Sequence, residues 1–142
     1  MERTLVLIKP DGVARGLCGQ IISRFEQRGL TIIALKMICL SPELAQRHYA
    51  EHRGKSFFDE LVAFITSGPL IAMILNGENA VKLVRTMMGP TNSAEALPGT
   101  IRGDYASSVR YNVIHGSDSV ESAEREIANF FFDREIFINI GG

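Results

Sequence analysis

Apolar positions follow two rhythms along this chain. Thr4 to Ile8 is an unbroken run of β-branched residues and leucine that halts at Lys9-Pro10-Asp11-Gly12, which predicts a buried strand stopped by a turn. From Gly19 to Arg28 the rhythm changes. Ile21, Ile22 and Phe25 fall on one helical face and Gly29 is placed to end the helix. Leu30 to Leu40, rich in isoleucine, predicts a second strand. Ser41-Pro42-Glu43 starts the next helix with a capping serine, a proline at the first position and an acid in the first turn, and the pattern runs to about His52.

A further helix is predicted from Phe57 to about Thr66, then a third strand from Leu70 to Leu75 and a helix from Asn79 to Met88. Between Gly89 and Ser108 three glycines, two prolines and the lack of periodicity predict a long loop, and Gly12 to Gly16 reads as a glycine-flanked turn. Asn112 to Ile114 predicts the last strand. Val120, Ala123, Ile127 and Phe130 then line one side of a final helix.

Without the helical pair the order is βαββαβ, which folds most simply as a four-stranded antiparallel sheet with helices on one face. The helical pair and the long loop are insertions, and a cleft forms where they approach. No repeat or linker divides the chain, so one domain over residues 1–142 is expected.

Composition narrows the function classes. A chain of 142 residues, 46% hydrophobic and 22% charged, is long enough for a real core. Its formal net charge of -1 gives no bulk attraction for nucleic acid. The N-terminal apolar run is five residues long, too short for a signal core or a membrane span, so a soluble cytoplasmic protein is expected. Cys18 and Cys39 lack metal-ligand spacing and read as two buried thiols in a reducing compartment.

Candidate chemistry centres on anions. Neither G-x-x-x-x-G-K-[ST] nor G-x-G-x-x-G is present, so a phosphate site must be built from side chains. Lys9 at a strand end, Arg85 late in a helix, and Thr91 and Arg102 in the long loop supply them. Isolated arginines are more often solvated, but a strand end is where α/β proteins present functional groups.

His115 sits between an apolar run and Ser117-Asp118-Ser119. Asp118 with Glu121 resembles a capping box and places a helix start near Ser119. The imidazole then lies at the positive end of a helix, which favours an anion and a neutral, nucleophilic ring. Gly116 leaves room for a bulky group to approach, and Glu126 lies within reach to orient the ring. A merely hydrogen-bonded histidine is an equal alternative on spacing alone. His48 and His52 have i, i+4 ligand spacing, but no further pattern supports a zinc site.

The segments NVIHGSDS, KPDGVARG, HYAEH, FF and PGTIRGDYA, in register from Arg3 to about Phe132, closely resemble the nucleoside diphosphate kinase family. The resemblance implies an α+β (α/β) fold, the ferredoxin-like βαββαβ sandwich. It implies transfer of the terminal phosphate of a nucleoside triphosphate to a nucleoside diphosphate through a phosphohistidine on His115, with Glu126 orienting the ring. Lys9 and Asn112 would contact the ribose hydroxyls, and Lys9 with Tyr49 would neutralise the transferring group. His52, Arg85, Thr91 and Arg102 would hold phosphates. Phe57 and Val109 would sandwich the base, with Leu61 beside the phenyl ring.

Magnesium would arrive on the nucleotide phosphates with no protein ligand, save that Asp118 could touch its water shell. Di- and triphosphates of several nucleosides are the expected partners, since a ring face reads no base edge. No membrane and no obligate nucleic acid are expected. The resemblance also implies a homo-oligomer, a hexamer in preference to a tetramer. Ser93 and Lys55 stand where many relatives have proline and arginine, and Glu135 to Gly142 replaces a longer tail. The competing readings are a nucleotide-binding regulatory module that lost turnover, and a structural or nucleic-acid role on the same sandwich.

Overall fold

In the computed structural model, which describes residues 1–138, four antiparallel strands form one sheet in the order β2-β3-β1-β4. They are β1 (Glu2–Ile8), β2 (Thr31–Ile38), β3 (Leu70–Gly77) and β4 (Ile114–Gly116). The central pair, β1 and β3, is buried from Thr4 to Ile8 and from Leu70 to Leu75 because both faces are covered there. Val6 and Ile8 of β1 face one core with Ile21 and Phe25 of α2 (Cys18–Gln27) and Val84 and Met88 of α5 (Ala80–Met88). Leu5 and Leu7, pointing the other way, join Ala45, Ile65, Ile127 and Phe130. The two crossover helices therefore share one face, as the order of elements predicts. The helical pair α3 (Pro42–His48) and α4 (Phe58–Ile65), with the final helix α7 (Val120–Phe130), covers the other.

Several expectations are corrected. The glycine-flanked turn is in part a short helix, α1 (Pro10–Ala14), because proline at its first position presets the backbone. The helix expected to reach His52 ends at His48, and Ala50–His52 is a separate 3-10 turn. The long loop contains a 3-10 turn, Ser93–Glu95, and a short helix, α6 (Ile101–Tyr105), capped by the Thr100 hydroxyl, which accepts from Gly103 N. Val120 is exposed rather than part of the apolar stripe, Cys39 is exposed and Cys18 half-buried. The cap of α7 is Ser119, whose hydroxyl accepts from Ser122 N, in place of the Asp118–Glu121 box.

The last strand is displaced as well. Val113, at φ 74°, adopts the left-handed region and breaks the extended run, so β4 begins at Ile114 and His115 lies within it, opposite Leu7 of β1. Gly116 serves packing rather than access: a Cβ there would lie 2.5 Å from Met88 Sδ and 3.1 Å from Val84 Cγ1, so its absence lets α5 close onto β4. Among the described residues no helix is long and apolar enough to cross a membrane. Residues 139–142 of the short C-terminal segment lie outside the described residues.

Candidate active site

The register of β4 decides where the imidazole points. His115 pairs with Leu7, so it faces the same side of the sheet as Leu5 and Leu7, toward α3 and α7. There its Nε2 lies 2.9 Å from Glu126 Oε1, and Ser117 Oγ donates to the same oxygen at 2.8 Å. Burial alone would raise the Glu126 carboxyl. The bonds from His115 and Ser117, with the neighbouring His115 and His48 rings, outweigh it and hold the group below the ordinary carboxylate range. An ionised carboxylate accepts, so in the neutral form of the ring Nε2 carries the proton and Nδ1 keeps its lone pair. The His115 side chain retains 23% exposure, enough to be reached from the cleft.

Lys9 follows β1 and is buried, and its Nζ donates to Asn112 Oδ1 at 2.9 Å. Burial, then the charge of Arg102, lower its ammonium to about 8, with Asp11 opposing. Arg102 on α6 is also buried. Its Nη1 donates to Gly89 O at 3.0 Å and its Nη2 to Ile114 O at 2.7 Å, while Nε finds no partner among the described residues. Burial, then Arg85, bring the guanidinium down to about 10, so it stays charged at neutral pH. Arg85 is exposed on α5 and donates to Gly116 O at 3.3 Å. Arg102 thus feels the charge of Arg85 and imposes its own on Lys9 across the end of β4. Three cations held that close favour an anion between them.

Tyr49, buried just after α3, has its hydroxyl pushed up beyond its ordinary range by burial and then by Glu126, so it remains a proton donor. Its ring lies 6.2 Å from that of His52, which in turn lies 5.4 Å from Phe57. Phe57, 40% exposed, and Val109, 55% exposed, present apolar surface to solvent, whereas Leu61 packs against the core beneath. Thr91 is exposed in the long loop. Asp118 is exposed beside His115 and Arg85, and the Ser122 hydrogen bond, then the Arg85 charge, hold its carboxyl low.

The helical pair and the segment after the long loop do meet. Glu60 pairs with Arg110, and the rings of Phe64 and Tyr111 stand edge to face at 5.3 Å. His48 and His52 do not act together. His48 turns inward, its ring 4.7 Å from that of His115. Sequence reasoning missed His48 as a neighbour of His115 and Ser117 as a partner of Glu126. The only signal for Ser117 is its place beside the His-Gly pair, and nothing in the spacing signals His48.

The family model for nucleoside diphosphate kinase matches residues 2–136. Nucleoside diphosphate kinase of Archaeoglobus fulgidus is 60% identical over 136 residues, covering 96% of this chain and 90% of that protein. That of Thermus thermophilus is also 60% identical, covering 96% of this chain and 99% of that one. Among solved structures, the halophilic nucleoside diphosphate kinase of Halobacterium salinarum in complex with CDP superposes with a TM-score of 0.93 at 52% identity, covering 95% of this chain and 90% of that one. The Aquifex aeolicus nucleoside diphosphate kinase gives 0.93 at 47% identity, covering 95% and 98%. With this sheet order, this cluster of cations beside a carboxylate-braced histidine, and a match along nearly its whole length, the chain belongs to the nucleoside diphosphate kinase family and is an enzyme that transfers phosphate between nucleotides.

Proposed function

We propose that the chain is a single catalytic domain that moves the γ-phosphate of a nucleoside triphosphate to a nucleoside diphosphate in two steps, through a phosphohistidine on His115. One observation carries this reading: Nε2 of His115 is engaged by Glu126 at 2.9 Å, which leaves Nδ1 as the nucleophile. In the first step the Nδ1 lone pair attacks the γ-phosphorus in line. An N–P bond forms, the bond from the γ-phosphorus to the bridging oxygen breaks, and the diphosphate leaves with that electron pair. Positive charge gathers on the ring and is met by the Glu126 carboxylate. In the second step a terminal oxygen of an acceptor diphosphate attacks the same phosphorus and the N–P electrons return to Nδ1.

The other roles are those the family resemblance implies, and the contacts of Lys9, Asn112, Tyr49 and Arg102 support them. Lys9, Arg85 and Arg102 bind the phosphates with His52 and Thr91, and the free Nε of buried Arg102 is a donor available to them. Lys9 and Asn112, already bonded to each other, contact the ribose hydroxyls, and the protonated Tyr49 hydroxyl donates toward the transferring group. Phe57 and Val109 flank the base, with Leu61 supporting the phenyl ring, an apolar pairing that accepts purines and pyrimidines. The CDP bound to the Halobacterium salinarum relative supports a nucleotide in this cleft.

Magnesium fits the oxygen chemistry here only as a passenger on the phosphates, with the exposed Asp118 carboxylate as the hard oxygen placed to meet its water shell. When bound it neutralises charge on the phosphate oxygens. The resemblance implies a homo-oligomer, hexamer before tetramer; Leu35 and Met37, exposed on the outer strand β2, support a contact with another copy without setting the number of copies. Free thiols and the lack of a spanning helix among the described residues suit the cytoplasm. No observation favours a regulatory module without turnover.

The deciding experiment is incubation with γ-labelled ATP followed by GDP. Acid-labile, alkali-stable label is expected on the protein, discharged to GTP, and absent in His115→Ala. Label that persists in that variant removes His115 from the mechanism.

A further inference from the structure

His48 takes no part in the transfer described above, yet its setting is unusual. The residue is 6% exposed, and neither ring nitrogen finds a hydrogen-bond partner among the described residues. Buried polar groups are nearly always paired, so a ring with both nitrogens idle calls for a reason. It stands edge-on to His115, centroids 4.7 Å apart and planes at 82°, and is walled by Tyr49 at 4.8 Å and Phe130 at 5.4 Å. One ligand-capable atom each from His48, His115 and Glu126 lies within 4.8 Å of the other two. Among the described residues, no other three histidine, cysteine, aspartate or glutamate side chains converge in this way.

We propose that His48, His115 and Glu126 form a binding site for a borderline divalent cation of the zinc class, and that its occupancy switches phosphotransfer off. Two imidazoles and one carboxylate are a donor set of open zinc centres, with the fourth position left to solvent. The partly exposed His115 provides that opening toward the cleft. The ligands are in the forms a metal takes: burial keeps the His48 ring neutral, and Glu126 is ionised. Ser117, donating to Glu126 Oε1 at 2.8 Å, supplies the outer hydrogen bond that orients a ligating carboxylate.

Zinc–ligand bonds of about 2.0–2.2 Å put donors roughly 3–4 Å apart, so a shift of about 1 Å by the rings completes the site. Magnesium, which prefers oxygen and an octahedral shell, is excluded by the two imidazoles, so the cation carried by the substrate does not compete.

The consequence for His115 is a change of tautomer. A cation seated between it and Glu126 takes the Nε2 lone pair. The proton that Nε2 carried passes through solvent to Nδ1, so the ring stays neutral overall. Nδ1 then has no lone pair to offer phosphorus. A single cation thus disables the nucleophile without entering the nucleotide slot.

The test uses the full chain free of nucleotide, which would chelate the metal. Titration with Co2+ is expected to give the strong visible d–d absorption of a low-coordinate nitrogen–oxygen site, saturating at one equivalent and displaced by Zn2+. His48→Phe, which keeps an aromatic ring in place, is expected to lose it. A second measurement needs no variant. The chain has three histidines, so long-range proton–nitrogen spectra of the ring nitrogens resolve them all, and Zn2+ is expected to shift His48 and His115 but not His52. Phosphoenzyme formation is expected to fall with buffered Zn2+ and return on adding a zinc-selective chelator.

Absorption retained in His48→Phe, shifts confined to His52, or no binding at a several-fold excess overturns the site. The spectral readouts report binding whether or not His115 accepts phosphate, so their failure is distinct from failure of the phosphohistidine mechanism.

Discussion

Nε2 of His115 and Oε1 of Glu126 meet at 2.9 Å, one on the short strand β4 and the other two turns into α7. The contact fixes more than ring orientation, because a carboxylate can only accept, and the ring proton is thereby held on Nε2. Glu126→Gln keeps the shape but offers an amide N–H that favours the opposite tautomer. Its kcat is expected to fall about 100-fold with KM little changed, since nucleotide contacts are untouched. Single-turnover phosphoenzyme formation should slow by the same factor, and an unchanged rate would remove Glu126 from that role.

Lys9 gives a prediction in pH. Its ammonium is lowered to about 8, so above that value the free enzyme loses a positive charge from the phosphate site, and kcat/KM should decline. Stability should move the other way. The unfolded chain binds this proton up to about pH 10.4, the folded chain only up to about 8, so folding gains as pH rises between them. The check is the difference between the parent and Lys9→Met in urea unfolding at several pH values. The parent should gain on the variant through that window while its activity falls.

What could be read from the residues follows physical range. The strands β1 and β3 and the helices α2 and α5 were legible because burial writes a period into the sequence. β4 was displaced because Val113 adopts a left-handed backbone that propensity disfavours in a β-branched residue, so the start of the strand is set by tertiary contacts. α6 was missed because five residues are too few to show a period. The anion site was legible only as types of side chain. Lys9 and Asn112 meet from positions 103 apart, and the approach of His48 to His115 depends on α3 being docked on α7. Resemblance to a family supplied what spacing could not.

Arg102 ties the long loop to β4 through two carbonyls, Gly89 O and Ile114 O, and it is buried while doing so. Arg102→Ala should cost about 2–4 kcal/mol in denaturant unfolding, since both bonds come from a charged donor. It should also raise KM for both nucleotides. Arg102→Lys is expected to recover little of either, because a single ammonium cannot span two carbonyls as a guanidinium fork does.

Gly103, the next residue along α6, offers a contrast between backbone and side-chain crowding. A Cβ there would overlap the Leu97 carbonyl oxygen and sit 2.7 Å from Thr100 Oγ1, the hydroxyl that caps the helix. A carbonyl held in the loop cannot swing away as a long side chain would, so Gly103→Ala should destabilise by about 3 kcal/mol. Because α6 carries Arg102, nucleotide affinity should weaken along with it. Gly19 in α2 is the control: a Cβ there meets nothing within 4 Å, and Gly19→Ala should stabilise by about 0.5–1 kcal/mol with kinetics unchanged. Parallel urea curves and KM values for the two variants test the pair. Equal effects from both would mean that α6 yields more readily than its capped, close-packed geometry implies.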